Sequence, residues 1–242
     1  MAHPRLSQTF SSGLNPPKLF RGFITRRERL GLSLKGWAAM LMLFAATFLL
    51  WLFHIQPFLA ETHRVNTPVL VMEGWIQEYA SRVAADEFRA GGYQIAYTTG
   101  GPIAGTDDDT NDETTTAGVG ASFLIKAGLP AQLVQKVPCH QVGRDRTYSS
   151  AVALREWSRA HGRNITSFNV ITEDAHARRT QLLFQEAFGP DVAVGIIAIR
   201  DPEYDPKHWW RYSEGVREVL GESIAYIYAK FVFHPPAIPS PR

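Results

Sequence analysis

The stretch Pro68-Val-Leu-Val-Met-Glu-Gly74 decides the fold class of this chain. Its continuous apolar run is typical of a strand that is buried on both faces, as strands of parallel sheets are. The run ends at a carboxylate and a glycine, and apolar residues at helical spacing follow it (Tyr79, Val83, Ala84, Phe88). The stretch therefore predicts a buried strand that leads into a helix.

The alternation of strand and helix continues along the chain. The predicted strands are Pro68–Met72, Tyr93–Thr99, Leu133–Val137, Ser167–Thr172 and Asp191–Ile199, and the predicted helices are Gln77–Ala90, Thr115–Ala127, Thr147–His161, Ala175–Phe188 and Trp210–Phe233. Strands that alternate with helices of about a dozen residues form βαβ units. We therefore expect an α/β domain over residues 68–233, in which helices cover both faces of a parallel sheet in three layers.

Composition and charge exclude several classes of protein. The chain has 242 residues, 45% hydrophobic and 20% charged, which excludes a disordered, collagen-like or coiled-coil protein. The single cysteine, Cys139, excludes an internal disulfide framework and a Cys-rich metal site. Residues 1–36 hold seven basic residues and one acidic residue, whereas the 18 basic and 22 acidic residues beyond residue 60 give a net charge of −4. This mildly acidic part argues against nucleic acid as a partner.

A long apolar segment precedes the predicted domain. From Gly36 to Ala60 there is no Asp, Glu, Lys or Arg, and about 20 apolar residues suffice for a helix to cross a bilayer. Trp37 and Trp51 fit the aromatic belts at the two interfaces. We expect a transmembrane helix over residues 37–59, followed by a linker over 60–67, with a Pro-rich tail over 234–242. A buried core helix and a cleaved signal peptide are the alternatives.

The charges around this segment predict its orientation. The basic tail, residues 1–36, is expected to stay in the cytoplasm by the positive-inside rule. Residues beyond 60 would then lie on the outer side of a single-pass membrane protein whose first partner is the lipid bilayer.

Ligands of open parallel sheets bind beyond the carboxyl ends of the strands. Two candidate loops follow the first two predicted strands there. Glu73 could act as an acid or base or orient a ligand, or it could simply be an acid at a helix start. Gly100 and Gly101 let backbone N–H groups approach an anion, although a Gly-Gly-Pro loop is often only a turn.

A third loop contains two arginines. Arg144 and Arg146 come just before a helix that Thr147 would cap. Guanidinium groups beside free helix N–H groups are suited to phosphate or carboxylate. The alternative is a surface loop in which these arginines pair with Asp145.

A fourth loop follows Thr172, the end of the fourth predicted strand. His176 and Arg179 lie one turn apart on the same helix face, where an imidazole can donate to an oxyanion or move a proton near neutral pH. The alternative is a structural His176, with the neighbouring arginines paired to Glu173 or Asp174. Together the four loops predict an anion site with His176 and Glu73 as catalytic residues and Gly100, Gly101, Arg144, Arg146, Thr147, Thr172 and Arg179 as ligand-binding residues.

Several motifs are absent from the sequence. There is no Gly-x-Gly-x-x-Gly fingerprint, no Walker-type loop, no Gly-x-Ser-x-Gly elbow and no His-Glu-x-x-His pair. The acidic run over 107–112 lacks the glycine and the closing glutamate of a calcium loop. We therefore expect no metal site, and the sequence indicates no particular cofactor.

The motifs at these loops resemble the ElyC/SanA/YdcF family of bacterial envelope proteins. The resemblance covers about residues 68–232 and rests on Met72-Glu-Gly74, Thr98-Thr-Gly-Gly101, Ala127-Gly-Leu-Pro130, Arg146-Thr-Tyr148 with Ala151, Val170-Ile-Thr172, His176-Ala-Arg-Arg179, and Trp209/Trp210 through Glu218 to Tyr226. It implies a Rossmann-like fold and a role in cell-wall metabolism, with lipid-carrier-linked precursors as substrates. The anchor followed by one outer domain is similar to the SanA arrangement.

These observations lead to one leading hypothesis and two rivals. The chain is expected to be anchored in the bacterial inner membrane and to bind a phosphate-bearing envelope precursor outside, with hydrolysis or transfer at phosphate as the chemistry of an enzyme. A non-enzymatic binding or scaffold protein of the envelope would use the same crevice. The second rival hypothesis is that a nucleotide-type cofactor binds in the crevice.

Overall fold

The computed structural model describes residues 18–19, 24–26, 30–103, 112–140 and 145–235. The chain divides into two compact units, Met1–Phe53 and His54–Arg242.

The N-terminal unit contains three short antiparallel strands, which the sequence analysis did not predict, and most of a long helix. The strands are β1 (Lys18–Leu19), β2 (Ile24–Arg26) and β3 (Leu30–Leu32), and the helix is α1 (Leu34–Leu59). At about 1.5 Å per residue, 26 residues of helix exceed the roughly 30 Å of hydrocarbon core. Its most apolar window has a mean hydropathy of 2.1 and none of it is buried. The helix could therefore serve as a membrane anchor by length and composition.

The second unit is an α/β domain around a five-stranded, all-parallel sheet. Its strands are β4 (Val69–Glu73), β5 (Ile95–Gly100), β6 (Val134–Pro138), β7 (Ser167–Glu173) and β8 (Ala193–Ile199), and its helices are α2 (Glu78–Ala90), α3 (Thr116–Lys126), α4 (Arg146–Ala160), α5 (Ala177–Phe188) and α6 (Ser213–Phe231). The strand order is β6-β5-β4-β7-β8. The expectation of a parallel α/β sheet is confirmed.

Alternating side chains of the sheet form two hydrophobic cores. Leu70 and Met72 of β4 point to a core that includes α2 residues such as Phe88, whereas Val71 points to a core formed with α4 and α5. Because successive strand residues face opposite sides, one apolar run supplies both cores. The helices therefore flank the sheet on both faces.

The direction of winding reverses beside β4. The chain moves outward from β4 through β5 to β6 and then returns to place β7 on the other side of β4. The helix connections after β4 and β7 consequently diverge, which opens a crevice at the carboxyl ends of these strands. Met72 is paired with Ile171 in this register, so Glu73 lies beside the end of β7.

Two predicted element boundaries differ from the structure. The predicted helix over Trp210–Phe233 is instead a 3₁₀ segment, Pro206–Arg211, followed by α6. The Asp205 carboxylate accepts a hydrogen bond from the backbone N–H of Lys207, and non-helical backbone at His208 interrupts the segment. The predicted helix over Ala175–Phe188 is preceded by a separate 3₁₀ turn, Asp174–His176, because Asp174 has a positive φ of 30°.

We predict that Gly74→Ala destabilises the domain. An added Cβ at Gly74 would lie 2.2 Å from the backbone oxygen of Thr116, so α3 would have to shift, and overpacking of this kind costs about 1–3 kcal/mol. Gly221→Ala is the matched control: its Cβ would meet nothing within 4 Å, and alanine favours a helix interior by about 1 kcal/mol. Thermal unfolding of the full-length protein in detergent measures both changes, and a Gly74→Ala protein as stable as wild type would contradict the packing argument.

Candidate functional site

A cleft of about 570 Å³ lies at the carboxyl ends of the strands. Strand ends, two loops and one face of α6 enclose it, and its lining residues are Glu73, Trp75, Thr99, Gly100, Gly101, Pro102, Thr116, Asp145, Arg146, Thr147, Ser150, His176, Arg179, Glu218, Glu222 and Ala225. The cleft therefore occupies the place where the reversal of winding leads us to expect a ligand.

The glycine loop after β5 is packed tightly against α3. A Cβ at Gly100 would lie 1.9 Å from the Thr116 hydroxyl oxygen, so only glycine permits this approach. The Thr116 amide also donates a hydrogen bond to the Gly101 carbonyl. The Gly-Gly pair thus positions the start of α3 and leaves the backbone of the loop as the wall of the cleft.

His176 lies on the floor of the cleft between two carboxylates. Its Nδ1 is 2.9 Å from an oxygen of Glu222 on α6, and its Nε2 is 3.6 Å from an oxygen of Glu73 at the end of β4. The ring also packs edge-to-face against Trp75, with centroids 4.8 Å apart. Both nitrogens of the imidazole therefore already face negative charge.

Arg179 completes this arrangement. Its Nε and Nη2 donate to the two oxygens of Glu222, at 2.7 and 2.9 Å, and its Nη2 lies 2.9 Å from Nδ1 of His176. Glu222 thus sits between two cations. We call Glu73, His176, Arg179 and Glu222 the charge quartet; its two positive and two negative groups balance.

The charge quartet changes the acidity of its members. Burial opposes a charged His176, but the carboxylates of Glu73 and Glu222 outweigh burial and raise its pKa to about 9. Burial likewise opposes an ionised Glu73, but His176 and the hydroxyls of Thr172 and Thr180 bring its pKa down to about 2. Arg179 and His176 hold the pKa of Glu222 at about 2 against its burial. His176 is therefore an imidazolium at neutral pH.

Glu218 behaves in the opposite way. It lines the cleft one turn before Glu222, and burial together with the Glu222 charge raises its pKa to about 7. It makes no hydrogen bond or ion pair with any residue that the structure describes. Glu218 is thus a carboxyl group that gains or loses its proton near neutral pH.

The start of α4 forms another wall of the cleft. Asp145 precedes this helix with a left-handed backbone (φ 59°), and its side chain makes no capping hydrogen bond. Arg146 is exposed in the cleft and has no hydrogen-bond or ion-pair partner within the described ranges. Among the described residues, nothing pairs with this guanidinium, and the Asp145 side chain leaves the first N–H groups of α4 without a cap.

A buried hydroxyl faces the same space. Thr99 is 1% exposed, lines the cleft and has no hydrogen-bond partner for its Oγ1 in the described part of the chain. A buried polar group without a partner is uncommon in proteins, and a ligand is one of the groups that can satisfy it.

The structure brings together most residues that the sequence predicted. Seven of them line the cleft: Glu73, Gly100, Gly101, Arg146, Thr147, His176 and Arg179. Thr172 is fully buried beside Glu73 and does not line the cleft. Arg144 lies outside the described residues. Across the described residues, no group of three or more His, Cys, Asp or Glu side chains is arranged to hold a metal ion.

The sequence analysis did not identify two carboxylates of the site as functional residues. Glu218 entered it only as part of the family resemblance, and Glu222 was not considered. Glu214, Glu218 and Glu222 recur every four residues along the predicted last helix, and this acidic stripe was the available signal. Arg179, interpreted as a ligand-binding residue, is paired with Glu222 in the structure.

We predict that the charge quartet makes stability depend on pH in a defined direction. Because the pKa of His176 is raised from 6.5 to about 9, its stabilising contribution is complete below pH 6.5 and is lost as the pH rises through 9. The contributions of Glu73 and Glu222 are complete above pH 4.5 and are lost as the pH falls through 2. Urea unfolding of the full-length protein should therefore show the free energy of unfolding declining between pH 6.5 and 9.

The variant His176→Gln should lack this alkaline decline. The control His161→Gln changes a histidine that lies at the far end of α4, and it should retain the decline. An equal alkaline decline in wild type and in His176→Gln would show that another group is responsible.

Comparisons with known proteins identify no relative of this chain, so the cleft itself is the basis for a functional proposal. No protein-family model, no curated protein and no solved structure matches the chain.

Proposed function

We propose that the cleft binds a phosphate-bearing precursor of the bacterial cell envelope. The observation that carries the proposal is Arg146, which lines the cleft at the start of α4 and has no hydrogen-bond or ion-pair partner among the residues that the structure describes. A guanidinium can hold two phosphate oxygens, and first-turn N–H groups can hold others.

The balance of charge in the cleft indicates where an anion would sit. Since Glu73 and Glu222 neutralise His176 and Arg179, the charge quartet has no free positive charge. Arg146 remains as a cation of the cleft outside the charge quartet, and Asp145 and Glu218 line the same cleft. We infer that phosphate is held at the start of α4 by Arg146 and Thr147, with the Thr99 hydroxyl as a further donor.

We further propose that the chain is a single-pass protein of the inner membrane. The apolar helix α1 and the basic residues before it support a cytoplasmic N-terminus and an outer α/β domain.

The strand order β6-β5-β4-β7-β8 supports a Rossmann-like fold, because the direction of winding reverses at β4, as it does within the sheets of such folds. Both features agree with the proposed membership of the ElyC/SanA/YdcF family and a role in peptidoglycan synthesis.

A second candidate function is hydrolysis or transfer at the phosphate, and Glu218 is the observation that favours it. Protonated Glu218 could give its proton to the leaving oxygen as the phosphorus–oxygen bond breaks and water or another acceptor forms the new bond. His176 would then keep the charge quartet in place, since its raised pKa and its two carboxylate neighbours make it a poor base at neutral pH.

We predict that Arg146→Gln weakens phosphate binding by about ten- to a hundredfold. Hydrogen bonds to a charged group are worth about 1.5–3 kcal/mol, which corresponds to that range. Arg159→Gln is the matched control, because Arg159 is an exposed arginine in the last turn of the same helix. Calorimetric titration of the full-length protein in detergent with pyrophosphate and with a short-chain polyprenyl phosphate measures the affinities. Equal affinities in both variants would contradict the proposed site.

We predict that Glu218→Gln separates binding from catalysis. If Glu218 donates a proton, the wild type turns over a polyprenyl phosphate or diphosphate more slowly above pH 7, because the carboxyl group is then ionised. The variant should lose about 10²–10⁴-fold in kcat and retain its affinity for the ligand. Phosphate release and direct binding, measured on the same samples, test this. Saturable binding without turnover in the wild type would instead support the non-enzymatic binding or scaffold protein.

A further inference from the structure

We propose that the cleft holds a sugar ring beside the phosphate and that Trp75 is the surface on which this ring packs. The inference rests on the phosphate site proposed above and specifies the group that the phosphate carries. The ligand class is a sugar phosphate, and its source is either a soluble sugar phosphate or one attached to a lipid carrier.

The cleft is larger than a phosphate group requires. Its volume of about 570 Å³ lies within the range of roughly 300–1,000 Å³ that is typical of sites for drug-sized small molecules. The groups assigned to the phosphate, which are Arg146, Thr147 and the Thr99 hydroxyl, form only part of the lining. The remaining space therefore accommodates a further part of the ligand.

Trp75 presents a large aromatic surface to the cleft. It belongs to the lining and is 41% exposed, although the next residue, Ile76, is only 1% exposed. The amide of Gly74 donates a hydrogen bond of 2.7 Å to the carbonyl of Thr99, which fixes the backbone just before the indole. The turn is thus packed on both sides of an aromatic side chain that stays exposed.

His176 fixes the orientation of the indole. The two rings pack edge-to-face with their centroids 4.8 Å apart, and His176 is itself held between Glu73 and Glu222. Aromatic side chains bind flat groups at a low cost in conformational entropy, because they have few rotatable bonds. The exposed part of Trp75 is therefore a preorganised surface that suits the apolar face of a sugar ring or a nucleobase.

Two carboxyl groups of the cleft favour the sugar. Asp145 and Glu218 both line the cleft, and neither side chain has a hydrogen-bond or ion-pair partner among the residues that the structure describes. An ionised carboxylate accepts hydrogen bonds and donates none, so it pairs with the hydroxyl groups of a sugar and repels a second anionic group. A nucleobase presents acceptor atoms as well as donors along its edges and therefore fits these groups less well.

The resulting ligand is anionic at one end and neutral at the other. Arg146 at the start of α4 takes the phosphate, and Trp75 in the loop after β4 takes the sugar. Because these two residues come from different elements and line one cleft, a single ligand can contact both. A phosphate without a sugar would use only one of the two surfaces.

Calorimetric titration of the full-length protein in detergent tests this inference with methyl phosphate, glucose 1-phosphate and adenosine 5′-monophosphate. We expect the wild type to bind glucose 1-phosphate about tenfold more tightly than methyl phosphate, which is the gain that one or two hydrogen bonds and an apolar contact provide. Adenosine 5′-monophosphate should bind less tightly than glucose 1-phosphate.

Substitutions of Trp75 locate the sugar. Trp75→Ala should abolish the preference for glucose 1-phosphate and leave the affinity for methyl phosphate unchanged, whereas Trp75→Phe should retain most of the preference. Tyr212→Ala is the matched control, because Tyr212 is an aromatic residue 43% exposed that does not belong to the described lining of the cleft. This control should keep the full preference.

Several results would overturn the sugar subsite. Equal wild-type affinities for methyl phosphate and glucose 1-phosphate would do so, and so would tighter binding of adenosine 5′-monophosphate than of glucose 1-phosphate. A Trp75→Ala protein that keeps the preference, or that loses affinity for both esters equally, would limit Trp75 to a structural role. A wild type that binds none of the three esters would instead overturn the phosphate site itself.

A short-chain prenyl diester of glucose 1-phosphate distinguishes the two sources of the sugar phosphate. Tighter binding of this diester than of glucose 1-phosphate assigns a lipid-linked sugar, and equal or weaker binding assigns a soluble one. Either result supports the subsite when Trp75→Ala weakens the binding of the tighter ligand, and an unchanged affinity in that variant contradicts it.

Discussion

The pairing of His176 with carboxylates on both of its sides is the interaction on which the site depends. Glu73 comes from the end of β4, Glu222 from α6, and His176 from the turn after β7, so the pairing joins three separate elements. Each member alone would be a buried charge, which costs several kcal/mol. Arg179 adds a second cation on Glu222 and makes the arrangement neutral. The elements around the cleft are thereby held in one relative position.

This balance also decides which groups remain for a ligand. A histidine and an arginine that are already paired provide shape and rigidity more than net charge. Within the described part of the chain, Arg146 at the start of α4, Glu218 on α6 and the buried hydroxyl of Thr99 line the cleft without a hydrogen-bond partner. The cleft thus combines the charge quartet, which is held by its own ion pairs, with polar groups that can bind a ligand, an arrangement that suits the positioning of an anion.

The same segment links the cleft to the junction with α1. Asp174 accepts a hydrogen bond from Gln56, and Arg178 contacts Phe58; each lies two residues from His176. The last residues of α1 are therefore held by the loop that supplies His176.

Much of this organisation could be predicted from the sequence, because it depends on local pattern. Apolar runs that alternate with segments of helical spacing predict the parallel sheet. The carboxyl ends of parallel strands share one edge of a sheet, so residues from four distant loops were expected to lie together. Seven of those residues line one cleft. The partners of those residues depend on how α6 packs. Only the tertiary structure decided that Glu218 and Glu222 face the cleft and that Arg179 is neutralised. A helix that is apolar on several sides can pack in several rotations about its axis, and long-range packing alone selects the rotation that is observed.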